Sequence, residues 1–446
     1  MTSILRIANA QGFWGDDPDA PARLATQSSN LDYLTLDYLA EVSMSILAKQ
    51  RQRNPNLGYA RDFLDVVRSL IPIWQSGRKL KLIANAGGLN PRACAQAAAA
   101  ILKDAGLTGM KLGIVTGDDV LQLLQSTSAA PSIQNPKSKI QNLLTANAYL
   151  GAAPVVEAIR RGADIVVTGR VADPSLTVAP AIAHFNWLDD YDRIAGATIG
   201  GHLIECGTQV TGGISTNWLG LPDPGNIGFP IAEVAADGSC VITKPPNTGG
   251  RVNEQTVKEQ LLYEIGDPSN YLSPDATVSF LSLHVEDLGN DRVRVYGASG
   301  KPPPPTYKVS ATYAAGYHAS GTLAIFGRDA AAKARRGGDI VLQRLRAAGR
   351  EPQRYLAECI GAGEMVPTSQ PRTSNPVEVV LRLSAADDRR DVVEYFTRQI
   401  VPLVTSGPPG TTGYAEGRPR VHESIGYWPT LIPRDLVTPN VEILEI

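Results

Sequence analysis

The densest group of reactive side chains lies between two Gly-Gly pairs, in the segment Ala197 to Gly213 (ATIGGHLIECGTQVTGG). If this segment is helical, His202, Glu205 and Cys206 fall at positions i, i+3 and i+4 and share one face. A base, a carboxyl group and a thiol on one face suit acid–base or nucleophilic chemistry. We therefore predict all three as catalytic, with His202 or Glu205 as the base and one imidazole nitrogen left free. The same residues would also suit a structural role, as a hydrogen-bonded pair and a buried thiol.

Short apolar runs alternate with helical segments through the first half of the chain, which is typical of a parallel α/β sheet. The predicted strands are Ile4 to Ala8, Tyr33 to Leu36, Leu80 to Ala84, Lys111 to Val115 and Asp164 to Val167. The patterns of later segments predict hairpins and helices. We expect an α/β protein with a mainly parallel, Rossmann-like sheet at 1–220 and an α+β domain at 221–446 packed against it. Residues 126–139 and 405–417 are predicted as loops, the second also as a candidate lid.

Several predicted strands end in polar or glycine-containing corners, where open parallel sheets bind ligands. Glycine amides before a helix favour anions, and an arginine can pair with a substrate carboxylate. A later loop, 244–251, combines cations, a hydroxyl and free amides and could also cradle phosphate. The residues predicted to bind substrate or anion are Asn9, Asn85, Gly87, Gly88, Arg170, Lys244, Thr248, Gly249 and Gly250.

Composition excludes several classes of protein. The net charge is −2 over 446 residues, so nothing attracts nucleic acid or an anionic membrane. The sequence shows no signal peptide and no run long enough to span a membrane, so we expect a cytoplasmic protein. The four cysteines are widely spaced, which argues against a zinc ribbon or a disulfide framework.

Neither a G-x-G-x-x-G fingerprint after a strand nor a P-loop occurs, so NAD and ATP are not indicated. The cofactor stays unknown, and a CoA moiety could enter as part of the substrate. We expect a small-molecule substrate, with neither nucleic acid nor membrane as partner. A homo-oligomeric state stays open.

Segments spread over most of the chain resemble the acyclic terpene utilisation family. They are Asn9 to Ala20, Leu31 to Val42, Asn85 to Pro91, Ala146 to Ala152, Ala163 to Leu176, Gly201 to Gly213, Lys244 to Val252 and Glu259 to Pro268. The resemblance implies a place in bacterial catabolism of citronellol-type terpenes, where intermediates are branched acyl-CoA thioesters. It carries no catalytic assignment to particular residues. We expect the chain to lack the extra small C-terminal domain of some members.

The leading hypothesis is an enzyme of the lyase or hydratase type that acts on a small carboxylate or an acyl-CoA thioester. One alternative is a metal-dependent hydrolase, in which His202 and Glu205 would be joined by Asp118, Asp119 or Asp173. Another is a non-catalytic accessory or assembly protein of a metabolic operon. Convergence of the strand-end corners, the His202 segment and the loop Lys244 to Arg251 on one pocket would favour an enzyme. Corners that are buried and filled by side chains would favour a scaffold.

Overall fold

The computed structural model describes residues 4–126, 142–365, 375–413 and 417–446. Most of the predicted loop at 126–139 and residues 414–416 of the candidate lid lie outside these ranges. The strands are β1 Ile4–Asn9, β2 Tyr33–Leu36, β3 Lys81–Ala84, β4 Lys111–Thr116, β5 Leu143–Ala148, β6 Ile165–Thr168, β7 Ile231–Ala235, β8 Cys240–Thr243, β9 Tyr271–Leu272, β10 Thr277–Ser279, β11 His284–Asp287, β12 Val293–Tyr296, β13 Ser299–Lys301, β14 Thr306–Phe326, β15 Arg354–Ile360, β16 Glu378–Asp387, β17 Thr411–Thr412, β18 His422–Pro433 and β19 Asn440–Glu445.

The helices begin and end where the sequence provides caps and breakers. They are α1 Ala20–Gln27, α2 Ser43–Arg53, α3 Phe63–Gln75, α4 Pro91–Asp104, α5 Leu121–Ser126, α6 Ala153–Arg160, α7 Ser175–Phe185, α8 Tyr191–Glu205, α9 Glu254–Leu262, α10 Ala330–Ala347, α11 Arg390–Ile400 and α12 Leu403–Ser406. For example, the Asn90 side chain accepts a hydrogen bond from the amide of Ala93 and so caps α4, which starts at Pro91. No helix among the described residues has both the length and the apolar character needed to cross a bilayer.

A ten-stranded sheet in the order β11-β12-β8-β7-β1-β2-β3-β6-β4-β19 forms the centre of the protein. The five strands predicted from the first half lie side by side, and each pairs with its neighbours in parallel. Strand β7 pairs antiparallel with β1, and β19 pairs antiparallel with β4. Strands β8, β12 and β11 continue the antiparallel part.

The mixed α/β class is therefore confirmed. A mainly parallel, Rossmann-like sheet is not confirmed, because the five predicted strands pair in parallel within a sheet that is mixed as a whole. The physical reason lies in the connections. β7 and β8 are joined by a tight turn at Gly238 (φ +84°), and strands joined by so short a turn must pair antiparallel. Through β7 this hairpin extends the edge of the parallel block.

The chain divides into two compact units, one of residues up to 312 with 427–446, and one of residues 313–426. Their boundary does not coincide with the predicted domain boundary near residue 220, since β1 and β7 share a sheet. In the second unit, β14, β15 and β16 form an antiparallel sheet, to which β17 and β18 add by pairing with β14. Helices α10 and α11 pack on the buried face of β16, where every second residue is apolar. The element order is that of a split β-α-β arrangement.

The Gly-Gly pair in the middle of α8 supplies a packing test. A methyl group at Gly201 would lie 2.7 Å from the carbonyl oxygen of Pro174, whereas one at Gly200 would be 3.5 Å from Cys240 Sγ, an ordinary contact. We expect Gly201→Ala to lower the free energy of unfolding by about 1–3 kcal/mol, because the backbones must move apart. Gly200→Ala should leave it unchanged or raise it by up to about 1 kcal/mol through helix propensity. Urea denaturation of both variants checks this, and equal stabilisation by both would contradict the close approach.

Candidate functional site

A cavity of about 340 Å³ lies within the first unit, beyond the carboxyl end of β6 and beside the end of α8. Its lining is polar and includes four carboxyl groups and two permanent cations. The lining residues are Glu41, Tyr149, Arg170, Ala172, Asp173, Pro174, His202, Glu205, Glu264, Ile265, Tyr271, Leu272, Ser273, Pro274, Pro304, Thr306, Tyr307, Lys308 and Leu431. Of the residues predicted for the site, His202, Glu205 and Arg170 line this cavity.

His202 is held by protein atoms at both ring nitrogens. Nδ1 lies 3.0 Å from Oε1 of Glu205, one helical turn away, and Nε2 lies 2.9 Å from the backbone carbonyl oxygen of Gln260 in α9. The rings of Tyr271 and Phe280 pack around the imidazole, and the residue is 2% exposed. The expectation that one nitrogen is free therefore does not hold. His202 positions Glu205 rather than reaching substrate through a free nitrogen.

These two contacts, together with the burial of the pair, indicate where the protons lie. A carbonyl oxygen can only accept, so Nε2 must carry a hydrogen. Burial lowers the pKa of His202 from 6.5 to about 4, so at neutral pH the ring is neutral and Nδ1 carries no hydrogen. Nδ1 must then accept from Oε1 of Glu205, which requires that carboxyl to be protonated. Consistently, burial raises the pKa of Glu205 well above its usual range, and the nearby carboxyl groups of Asp173 and Glu264 raise it further.

The end of α8 that carries this pair is anchored to the sheet by Asn9. The Asn9 amide nitrogen donates to the carbonyl oxygens of Ile204 and Glu205, at 2.8 and 2.7 Å. Carbonyls in the last turn of a helix lack the usual intrahelical partners. That of Ile204 also accepts from the amide of Cys206, and Asn9 ties both carbonyls to the first strand and fixes the helix end. Asn9 is buried and does not line the cavity. Its hydrogen bonds position the end of α8. Its role in substrate binding stays a prediction.

Arg170 is a fixed cation in the cavity wall. It is 2% exposed, and its guanidinium donates to the carbonyl oxygen of Leu39 and forms an ion pair with Asp173 at 2.9 Å. The guanidinium also stacks on the ring of Tyr149, 4.1 Å from its centroid. Its Nε has no hydrogen-bond partner among the described residues. The side chain thus offers a preorganised positive charge with one donor still unused.

Residues that follow neighbouring strands hold Arg170 in place through hydrogen bonds and charges. Its backbone amide donates to Oδ2 of Asp118, which also accepts from the side chain of Asn147. Burial raises the pKa of Asp118 to about 6. On the other side, Asn85 donates to Asp37, whose pKa is raised well above its usual range by burial and by Asp173. Asn85 therefore contacts Asp37 and does not itself line the cavity.

Several other predicted residues lie away from the cavity. Cys206 ends α8, and burial together with Glu205 raises the pKa of its thiol, which leaves it a weak nucleophile at neutral pH. The Gly88 amide bonds to Asn85 O, and a methyl at Gly87 would lie 2.6 Å from a carbonyl oxygen of Thr168. These glycines serve close packing here, and anion binding at them stays a prediction.

The loop 244–251 is also engaged with protein groups. Lys244 Nζ donates to the carbonyl oxygen of Thr248 and pairs with Asp291 at 3.1 Å. The amides of Gly249 and Gly250 donate to backbone carbonyls at 2.7 and 2.8 Å. A phosphate at this loop would have to displace these bonds, and the loop does not line the cavity.

Sequence reasoning missed much of the cavity lining. Tyr149 and Glu264 lie in segments that carry the family resemblance but were given no role. Asp173 was considered only as a possible metal ligand. Glu41 also lies in such a segment, whereas Tyr271 and Lys308 had no sequence signal, because only the tertiary fold brings them to the cavity. Within the described residues, no group of three or more His, Cys, Asp or Glu side chains is arranged to hold a metal ion, so the ligand set considered around His202 does not assemble there.

The family model described as acyclic terpene utilisation family protein AtuA matches residues 5–443. Since this match covers nearly the whole chain, the protein belongs to that family, which confirms the resemblance found in the sequence. Comparisons with curated proteins and with solved structures found no match.

The buried imidazole predicts a specific pH dependence of stability. The unfolded chain binds a proton at His202 near pH 6.5, and the native state does so only near pH 4, so the contribution of His202 to the free energy of unfolding should fall as the pH drops through this window. The raised pKa of Glu205 contributes in the opposite direction and is common to both proteins compared below. For His202 alone, a pKa that changes from 6.5 to about 4 on folding corresponds to a loss on the order of 3 kcal/mol in the free energy of unfolding. His202→Gln keeps a hydrogen-bonding amide but no titrating ring, so it should lose less stability over the same window. Urea unfolding of both proteins at several pH values measures this, and parallel curves would contradict a neutral buried ring.

Proposed function

We propose that this protein is an enzyme of acyclic terpene or branched-acyl catabolism that acts on a small carboxylate or acyl-CoA thioester by acid–base chemistry of the lyase or hydratase type. Membership of the family supports the metabolic setting. The chemistry rests on one observation, the contact at 3.0 Å between Nδ1 of His202 and Oε1 of Glu205 in the cavity wall. That contact keeps a carboxyl group protonated beside a cavity of small-molecule size.

Glu205 is the general acid in this proposal. Its side chain is 11% exposed, and Oε2 has no hydrogen-bond partner among the described residues. A buried polar atom without a partner is costly, so a bound substrate or water would be stabilised by meeting it. His202 acts through Glu205, because it orients the carboxyl group and accepts its proton in a hydrogen bond.

Asp173 is the corresponding base. Its pKa is raised overall by burial and by the carboxyl groups of Glu41 and Glu264, whereas Arg170 at 2.9 Å and Lys308 oppose that rise. Of the two carboxyl groups, Asp173 is the one in contact with a cation, so it loses its proton first. Two carboxyl groups with their pKa values pushed apart by their surroundings provide an acid and a base at the same pH.

Hydration of a double bond conjugated to a thioester illustrates how the site would work. Asp173 takes a proton from water as the water oxygen bonds to the β-carbon, and negative charge moves to the thioester oxygen. The unused Nε donor of Arg170 would stabilise that charge. Glu205 then protonates the α-carbon, so one water is added to the double bond. At the end of the reaction Asp173 has gained a proton and Glu205 has lost one. The cavity of about 340 Å³ suits the acyl part of such a substrate.

The roles predict the effects of two isosteric substitutions. Glu205→Gln removes the transferable proton and Asp173→Asn removes the base, so each should lower kcat/KM by about 10² to 10⁴. The assay follows the absorbance of the conjugated thioester when the protein is incubated with branched enoyl-CoA thioesters, and with the 3-hydroxyacyl-CoA thioesters for the reverse reaction.

A matched control is Glu254→Gln, which neutralises an exposed carboxylate that pairs with Lys258 outside the cavity. It should retain the activity of the unmodified protein. Full activity of Glu205→Gln would refute the assignment of the acid. A lack of turnover by the unmodified protein with every thioester tested would refute the hydratase reaction itself.

A further inference from the structure

A second cleft, of about 440 Å³, lies within the second unit, on the β14–β18 side of its sheet. It is unrelated to the chemistry proposed above. Its described lining residues are His318, Ser320, Gly321, Thr322, Ile400, Gly413, Gly417, Arg418, Pro419, Arg420 and His422. Two arginines, two histidines and two hydroxyl groups are thus gathered there, and none of these lining residues is acidic.

Strand periodicity explains why the β14 side chains face the same way. Along β14, His318, Ser320 and Thr322 alternate with Ala319 and Gly321, and the buried Ala319 packs in the core beneath the helices. Arg418 and Arg420 lie just before β18, which begins at His422, and both line the same cleft. Glu423, at the opposite phase of the strand, interacts with Arg390 instead.

Close contacts hold the two segments beside each other. A methyl group at Gly321 would lie 2.6 Å from Cγ of Pro419, so the chains approach closely there. The rings of His318 and His422 stack with centroids 5.7 Å apart, and Nδ1 of His318 lies 2.9 Å from Oγ of Ser424. Pro419 and His422, which flank Arg420, are therefore packed against β14.

We propose that this cleft binds the phosphate group of a small metabolite. Arginine presents paired N–H donors that match two phosphate oxygens, and its charge persists at every physiological pH. The Thr322 hydroxyl can donate to a remaining oxygen, and so can that of Ser320 when it accepts a hydrogen bond from Ser384 Oγ, 2.9 Å away. Because Arg418 and Arg420 are solvent-exposed at the mouth of the cleft, a ligand can reach them without rearrangement of the core.

Calorimetric titration of the full chain with inorganic phosphate and with pyrophosphate tests the proposal. We expect saturable binding of at least one probe, and a loss of affinity of about 10-fold or more in each of Arg418→Gln and Arg420→Gln, as for removal of a charge-assisted hydrogen bond. Tighter binding of pyrophosphate would identify a diphosphate ligand, and equal binding a single phosphate group.

The matched control is Arg336→Gln, an exposed arginine of α10 in the same unit that does not line the cleft. It should bind both probes like the unmodified protein. Absence of saturable binding to both probes would overturn the proposal, and so would an equal loss in Arg336→Gln, which would show only general charge attraction. Glu205→Gln should bind phosphate normally, so this test stands or falls independently of the proposed enzyme activity.

Discussion

The site depends on one contact, the 2.9 Å approach of His202 Nε2 to the carbonyl oxygen of Gln260. The carbonyl determines which nitrogen carries the hydrogen, and burial keeps the ring neutral. Nδ1 is then left as an acceptor that only a protonated Glu205 can satisfy. A backbone atom of α9 thereby sets the protonation state of a carboxyl group on α8.

Three further features place the His202–Glu205 pair and Arg170 around the cavity. Gly201 lets α8 approach the segment at Pro174, which precedes α7 and follows the ion-paired Asp173. Asn9 fixes the end of α8 to the first strand of the parallel block. Arg170, at the end of β6, faces the same cavity. The parallel strands therefore act as a frame whose carboxyl ends position the cation and the acid together, which is where open parallel sheets place ligands.

Local patterns were sufficient to predict much of this frame. Apolar runs located the five parallel strands, the Asn90-Pro91 pair located the start of α4, and spacing placed His202 and Glu205 in contact. The hairpins of the second half were predicted, but their addition to the edge of the parallel strands was not, because nothing in the sequence of an edge strand identifies the strand that will pair with it.

The second partner of His202 could not be predicted either. Gln260 contributes a backbone carbonyl, which has no sequence signature, and it lies 58 residues further along the chain. The choice between His202 and Glu205 as the proton-transferring group depends on that partner. The cavity charges of Glu41 and Lys308 likewise depend on tertiary contacts, so spacing alone could name the reactive pair but could not assign its roles.

The central claim is that Glu205 keeps its proton at neutral pH. Infrared spectroscopy tests it directly, because the C=O stretch of a protonated carboxyl group is separate from the bands of a carboxylate. The account predicts a protonated-carboxyl component at neutral pH in the unmodified protein and in Glu254→Gln that is missing from Glu205→Gln. Identical spectra of the unmodified protein and Glu205→Gln in this region would contradict it, since Glu205 would then be ionised.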